Sequence, residues 1–246
     1  MLTAPAGSAQ ATAILNGVAT QLQAQVTQQV TAAGGDASAV TVTITPVVPL
    51  SEEDPTGSGL AAASFPLTMG GMVGGILISL LVVGAGRRLA ALAGFGVAVG
   101  LVLALVLQTW FGFLQGGFWP NAVAIGLSIL ATSAFIVGCN SLIGTRGIAV
   151  GALITMFIGN PLSSAAAPWQ FLPEPWGIIG QYLAPGASNW LLRSVSYFPD
   201  ANLNQQWWTL IAWTTAGIAL IVIAHFRSRA SVGAASTLEA HNHEHR

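Results

Sequence analysis

Cys139 is the only thiol in the chain, and beside it stand four histidines, seven cationic residues and eight carboxylates. A thiol becomes a nucleophile when a base or a positive field lowers its pKa. No histidine neighbours Cys139 in sequence, so it reads as a small packed residue. His241, His243 and His245 alternate near the C-terminus. Such a pattern can hold zinc or nickel, but here it reads as a solvated tail, and His225 reads as an interface residue. Every cationic residue is arginine: Arg87, Arg88, Arg146, Arg193, Arg227, Arg229 and Arg246. Without lysine there is no Walker phosphate loop, whose chemistry needs that amine on the phosphates. No Gly-x-Ser-x-Gly elbow occurs either. The expectation is a protein that is not an enzyme, with no catalytic, cofactor-binding or metal-binding residue.

The elements that hold these residues are apolar. Hydrophobic residues make up 53% of the chain and charged ones 6%, with a mean hydropathy of +0.70. A soluble domain carries about 25% charged residues. Side chains facing lipid need none, so a membrane class follows. The net charge of -1 points to no nucleic-acid partner and no polybasic anchor. A helix needs about 20 apolar residues to cross a bilayer. Five stretches qualify or nearly do: Gly59–Gly86, Leu89–Phe113, Phe118–Ile143, a short Gly147–Leu162, and Trp207–Phe226. We therefore expect an all-α integral membrane protein with five transmembrane helices, in a domain spanning 59–227. The spans hold almost no ionisable group, which argues against a proton-coupled carrier.

Orientation follows from the arginines. In an alternating five-span arrangement Arg87, Arg88, Arg146, Arg227 and Arg229 share one side, which the positive-inside rule makes cytoplasmic. The other side receives Arg193 and all eight tryptophans: Trp110, Trp119, Trp169, Trp176, Trp190, Trp207, Trp208 and Trp213. Indoles favour the interface, where ring and N–H meet different media. The N-terminus is expected outside and the C-terminus inside, with residues 228–246 a disordered cytoplasmic tail. Residues 1–58 form an extracytoplasmic segment. Ile14, Val18, Leu22, Val26 and Val30 recur as on one helix face, and Val40, Val42 and Ile44 alternate with Thr41, Thr43 and Thr45 as in a strand. Ser51 to Gly59 reads as a linker. Met1–Gln10 lacks the basic and apolar regions of a signal peptide, so the expectation is that a further span lies upstream.

Three motifs stand out within the spans and loops. Gly70, Gly71, Gly74 and Gly75 form overlapping Gly-x-x-x-Gly pairs that allow close helix packing, within the subunit or across a dimer. Asn160-Pro161 should stop the fourth helix, with Asn160 pushed to an extended backbone, and is a candidate outer pathway or gate. The apolar loop Ser163–Gln206 is divided by Pro173, Pro175 and Pro185. It reads as two short interfacial or re-entrant helices, the second capped by Ser188, with Leu191, Leu192, Val195 and Phe198 on one face.

The run of spans, Asn160-Pro161-Leu162-Ser163, Leu172-Pro173-x-Pro175-Trp176-Gly177, and Leu183-x-Pro185-Gly186-Ala187 with Leu192-Arg193-Ser194 resemble the ABC-2-type permeases, nearest the YhgE/Pip-like branch. The resemblance covers about 57–227. It implies the membrane subunit of an exporter in the bacterial plasma membrane, a homo- or heterodimer driven by a separate ATP-binding subunit. It also implies that Arg87, Arg88 and Leu89 belong to the cytoplasmic link that meets the ATPase, and that the five spans are the last five of six. The alternative is a non-transporting envelope receptor or scaffold.

Overall fold

The computed structural model describes residues 2–36, 41–165 and 167–244, with side chains through residue 230. The chain is nearly all-α. A two-residue strand β1 (Leu2–Thr3) precedes α1 (Ala9–Ala32), and β2 (Thr45–Pro46) pairs with β1 in parallel. A short α2 (Ser58–Ala62) leads into α3 (Ser64–Leu81). Then come α4 (Ala85–Ala104), extended by a π-helical turn Leu105–Trp110, and α5 (Phe118–Ile143). Next, α6 (Thr145–Ala152) continues as a π-helix Leu153–Gly159, and α7 (Trp176–Gln181), α8 (Ala184–Tyr197) and α9 (Asn204–Glu244) follow.

Four of these helices are long and apolar enough to cross a membrane: Ser58–Leu81, Ala85–Trp110, Phe118–Ile143 and Asn204–Ala230. The expected count of five is not reached. The remaining candidate is the shorter helix Thr145–Gly159, which reaches roughly 22 Å at 1.5 Å per residue, against a roughly 30 Å hydrocarbon layer.

α5 is the axis. Its neighbours α3, α4, α6, α8 and α9 all pack on it, and Ile125, Ile129, Ile136 and Val137 have no exposed surface. Such crowding requires small residues at the crossings. A Cβ on Gly217 would lie 2.3 Å from the Ala134 carbonyl carbon, and one on Gly138 would lie 2.5 Å from Gly217 O. Pairs of such contacts fix direction. Gly71 meets Ile129 and Gly75 meets Ile136, and Leu210 clusters with Ala124 and Ala131 while Ile221 clusters with Ala134 and Val137. In contrast, Gly96 meets Leu130 and Gly100 meets Ala122, and Gly147 meets Cys139 while Gly151 meets Ile136. So α3 and α9 run parallel to α5, and α4 and α6 run against it. The arginines at the α3–α4 turn and the α5–α6 turn thus share one end of the bundle, which we call the basal end. Trp110 and Trp119 lie at the other, the apical end.

Several local expectations are corrected. Val40 lies outside the described residues; of the expected strand only Thr45 is paired, together with Pro46, against the two-residue edge Leu2–Thr3, and Val42 N–H donates to Gln23 Oε1. Asn160 keeps a helical backbone at φ -68°. The helix does end at Gly159, directly before Asn160-Pro161; Pro161 then opens a separate 3-10 turn Pro161–Ser163, and Ser164 follows with φ 54°. Ser188 does not cap α8. It sits in the second turn and donates to Ala184 O at 2.6 Å. α9 runs on to Glu244 where an irregular tail was expected; that stretch has no proline and is rich in alanine.

The helix pair of the apical loop does not lie flat. α7 is exposed at Trp176, Ile178 and Ile179, but α8 is buried from Ala184 to Asn189 and again at Leu191, Leu192, Ser194, Ser196 and Tyr197. Both faces of α8 are covered because it inserts between α5, α9 and the end of α6. The pair is a helical hairpin whose second arm, α8, is built into the bundle.

Candidate functional site

At the basal end the Arg87-Arg88-Leu89 link divides its roles. Arg87 is exposed, while Arg88 turns inward. Its Nε donates to Val82 O at 2.9 Å, Nη2 to Ser79 O at 3.1 Å and Nη1 to Ser141 Oγ at 2.7 Å. The first two acceptors are carbonyls of the last turn of α3, which have no partner within the helix and favour a cation. The third fastens α4 to the end of α5. Arginine only donates, so the Asn140 amide sets its oxygen toward Arg88 Nη2 (3.2 Å) and its nitrogen toward Gly144 O (3.0 Å). Leu89 packs against the small cluster of Ile78, Leu92, Val137 and Ile221. Of the three residues expected to meet an ATPase, Arg87 alone presents its side chain outward.

The glycine motif of α3 faces inward. A Cβ on Gly71 would press on Thr132 at 2.8 Å, one on Gly75 on Ser133 Cα at 3.0 Å and one on Gly74 on the Phe95 ring at 2.1 Å. Gly70 meets only Ile129 Cδ1, at 3.9 Å. These contacts are all within the subunit.

The apical end is built around the hairpin. Its turn, at Tyr182–Leu183, reaches Trp213 on α9, with the Tyr182 side chain exposed. Trp213 Nε1 donates to Tyr182 O at 2.9 Å, and the Trp213 ring packs edge-on against Phe135 at 4.7 Å. Gly159, the last residue of the π-helix after α6, abuts Pro185 in the first turn of α8. So α6 stops about half-way along α5, against the hairpin tip. Non-helical backbone at that depth needs protein partners, and the Trp213 indole supplies one. Nearer the rim, Asn121 is fully buried. Its Nδ2 donates to Gln108 Oε1 (2.9 Å) and Gln115 O (2.8 Å), and its Oδ1 accepts from Ser196 (3.0 Å). Tyr197 O–H donates to Phe113 O at 2.7 Å. Asn160 and Pro161, the expected gate, are both exposed, and the polar cavity begins three residues later at Ser163.

That cavity lies between the hairpin and the N-terminal segment. Gly7, Ser8, Ser163, Ser164, Gln181, Asn189 and Arg193 line it, under Trp169 and Trp190. Arg193 Nη1 donates to Ala6 O (3.1 Å) and Gly7 O (3.2 Å), and Nη2 donates to Ala165 O (3.3 Å). These bonds tie residues 6–7 to the helical bundle, and Ala6 joins its core. The sequence singled out Arg193 only as an orientation marker. Gln181 and Asn189 carried a signal that was passed over: amides inside an otherwise apolar loop. Among the described residues no group of three or more His, Cys, Asp or Glu side chains could hold a metal.

The fold and this site define a nearly all-α protein whose four long apolar helices are compatible with a multi-pass membrane protein, with a short helical hairpin at one end. No family model, no curated protein and no solved structure matches the chain.

Proposed function

We propose that the chain is the membrane subunit of an ABC-type exporter in a bacterial plasma membrane, dimeric and driven by a separate ATPase. In this reading its basal end faces the cytoplasm. The observation that carries it is the interrupted crossing: α6 stops half-way along α5 against the tip of a hairpin that enters from the apical side. Broken helices leave backbone carbonyls at mid-depth. They are tolerated where protein or water lines a path, and transporters use them to handle cargo. Asn160 and Pro161 flank that break. The Arg88 knot joins α3, α4 and α5 into one rigid end, and Arg87 beside it is the contact for an ATPase.

The alternative of a non-transporting receptor or scaffold draws on α1. Its apolar stripe is exposed at Ile14, Val18 and Leu22, as on a surface that presents itself to partners. The two readings separate in one experiment. The chain is co-expressed with a candidate ATP-binding subunit, and what co-purifies is placed in nanodiscs. Transport predicts ATP hydrolysis that needs both proteins, and Arg87→Glu should uncouple it without loss of insertion. Hydrolysis indifferent to the chain and to Arg87→Glu would leave the scaffold reading standing. A reporter fused after Arg229 tests the orientation: it should be active in the cytoplasm only.

A further inference from the structure

Among the described residues, five buried side-chain atoms lack a hydrogen-bond partner: Ser79 Oγ, Ser164 Oγ, Gln181 Oε1, Asn189 Nδ2 and Gln206 Oε1. Three of them, on Ser164, Gln181 and Asn189, belong to residues lining the Arg193 cavity. Gln181 and Asn189 are 6% and 9% exposed, so water outside the protein does not satisfy them. An unpaired polar atom in such a place costs stability unless a bound species completes it. The cavity has about 330 Å³ of space between atoms, open solvent at its mouth included, and free room for about one water molecule.

Charge decides what kind of species fits. Arg193 brings a full positive charge, and three of its five N–H groups donate to carbonyls. None of the residues lining the cavity is acidic. Gly7 and Ser8 bring the N-terminus of the 24-residue α1 to its wall, the positive end of that helix. Asn189 Nδ2 and the Ser164 hydroxyl are donors. Gln181 Oε1 is the exception, an acceptor; a half-turn of that amide would present its NH2 instead. A cation meets repulsion here and finds no carboxylate.

We propose that this cavity is an oxyanion site: one anionic oxygen of a phosphate-type group enters beside Arg193, Asn189 and Ser164, and the rest of the group occupies the mouth. The group is either a free oxyanion or the headgroup of an anionic lipid, since both offer the same oxygen. The site stands independently of the exporter reading.

Trp169 and Trp190 line the cavity, so their fluorescence reports on it. The full-length protein is placed in phosphatidylcholine nanodiscs, with and without phosphatidic acid, and inorganic phosphate is titrated into the lipid-acid-free sample. Asn189→Asp and Gln181→Glu each set a negative charge on the wall at nearly unchanged volume, from two different helices. A saturable signal with phosphate, weakened about tenfold or more by either variant, supports the site with a free oxyanion as ligand. A signal that requires phosphatidic acid and is weakened likewise supports it with a lipid headgroup. No saturable signal in either sample, or one that both variants leave unchanged, overturns the proposal and leaves water as the occupant.

Discussion

Arg88 and Arg193 are both arginines turned into the bundle, one at each end, and they are used differently. Arg88 closes its surroundings. Its donors go to Ser79 O, Val82 O and Ser141 Oγ, and the orphan left nearby is Ser79 Oγ. Arg193 also makes three hydrogen bonds, all to carbonyls, but around it Ser164, Gln181 and Asn189 remain incomplete. The carbonyls around Arg88 come from the last turn of one helix, fixed before the arginine arrives. Those around Arg193 come from residues 6, 7 and 165, in connecting segments. A cation that caps a helix end finishes a structure. A cation that gathers loops leaves space between them, and that space is where a ligand can enter. The basal end is thus a lock and the apical end a site.

The sharpest way to break this contrast is Arg88→Leu. It removes three charge-assisted bonds and leaves the α3 carbonyls without a partner. A loss of about 3 kcal/mol is expected, read as thermal or denaturant unfolding of the protein in nanodiscs. Arg87→Leu, one residue away and exposed, should stay within about 0.5 kcal/mol. Equal effects from the two would mean that the basal knot is not the lock described.

How much of this contrast the sequence carried depends on which physical signal each part emits. The long spans were legible because lipid-facing helices are apolar over their whole length, and Phe118–Ile143 was bounded at both ends by glycines. The burial of α8 was not legible. Ser188 read as a cap and only Leu191, Leu192, Val195 and Phe198 as a packed face, whereas the polar Ser188, Asn189, Ser194 and Ser196 are buried as well. The α3 glycines were visible as a repeat. Gly138 and Gly217 were not, because neither has a second glycine four residues away on its own helix and only the fold pairs them. Arg88 and Arg87 are identical neighbours in sequence. Which one turns inward is set by the α3 carbonyls reaching the next turn, a tertiary fact.

A second test addresses the hairpin. Trp213→Phe keeps the ring against Phe135 but removes the N–H that Tyr182 O accepts. Losing that hydrogen bond, at the exposed edge of the hairpin, costs about 1–1.5 kcal/mol. The loss should be local to the apical end, so a cysteine placed at Tyr182 should label faster in the variant while one placed at Arg87 is unaffected. Unchanged labelling at Tyr182 would mean that the tip is held by its packing alone.

The smallest effect is expected at the apical rim, where Tyr197 donates to Phe113 O. Both residues lie in segments outside the long spans. Burial raises the Tyr197 phenol above its ordinary value, and the carboxylates of Asp54 and Glu53 add to this. The folded protein therefore holds the neutral phenol more firmly than the unfolded chain does. That stability is fully present below the unfolded value of about 10 and is lost as pH rises through the folded one. Tyr197→Phe removes one hydrogen bond, so at neutral pH it should cost about 1 kcal/mol. It also removes the ionisation, so its stability should fall less steeply in alkali, and the two unfolding curves should converge above pH ~10. Curves that stay parallel would show that the phenol sits in water at the rim. The apical polar network would then be solvated, not buried, and the contrast between the two ends would rest on Arg193 and its cavity.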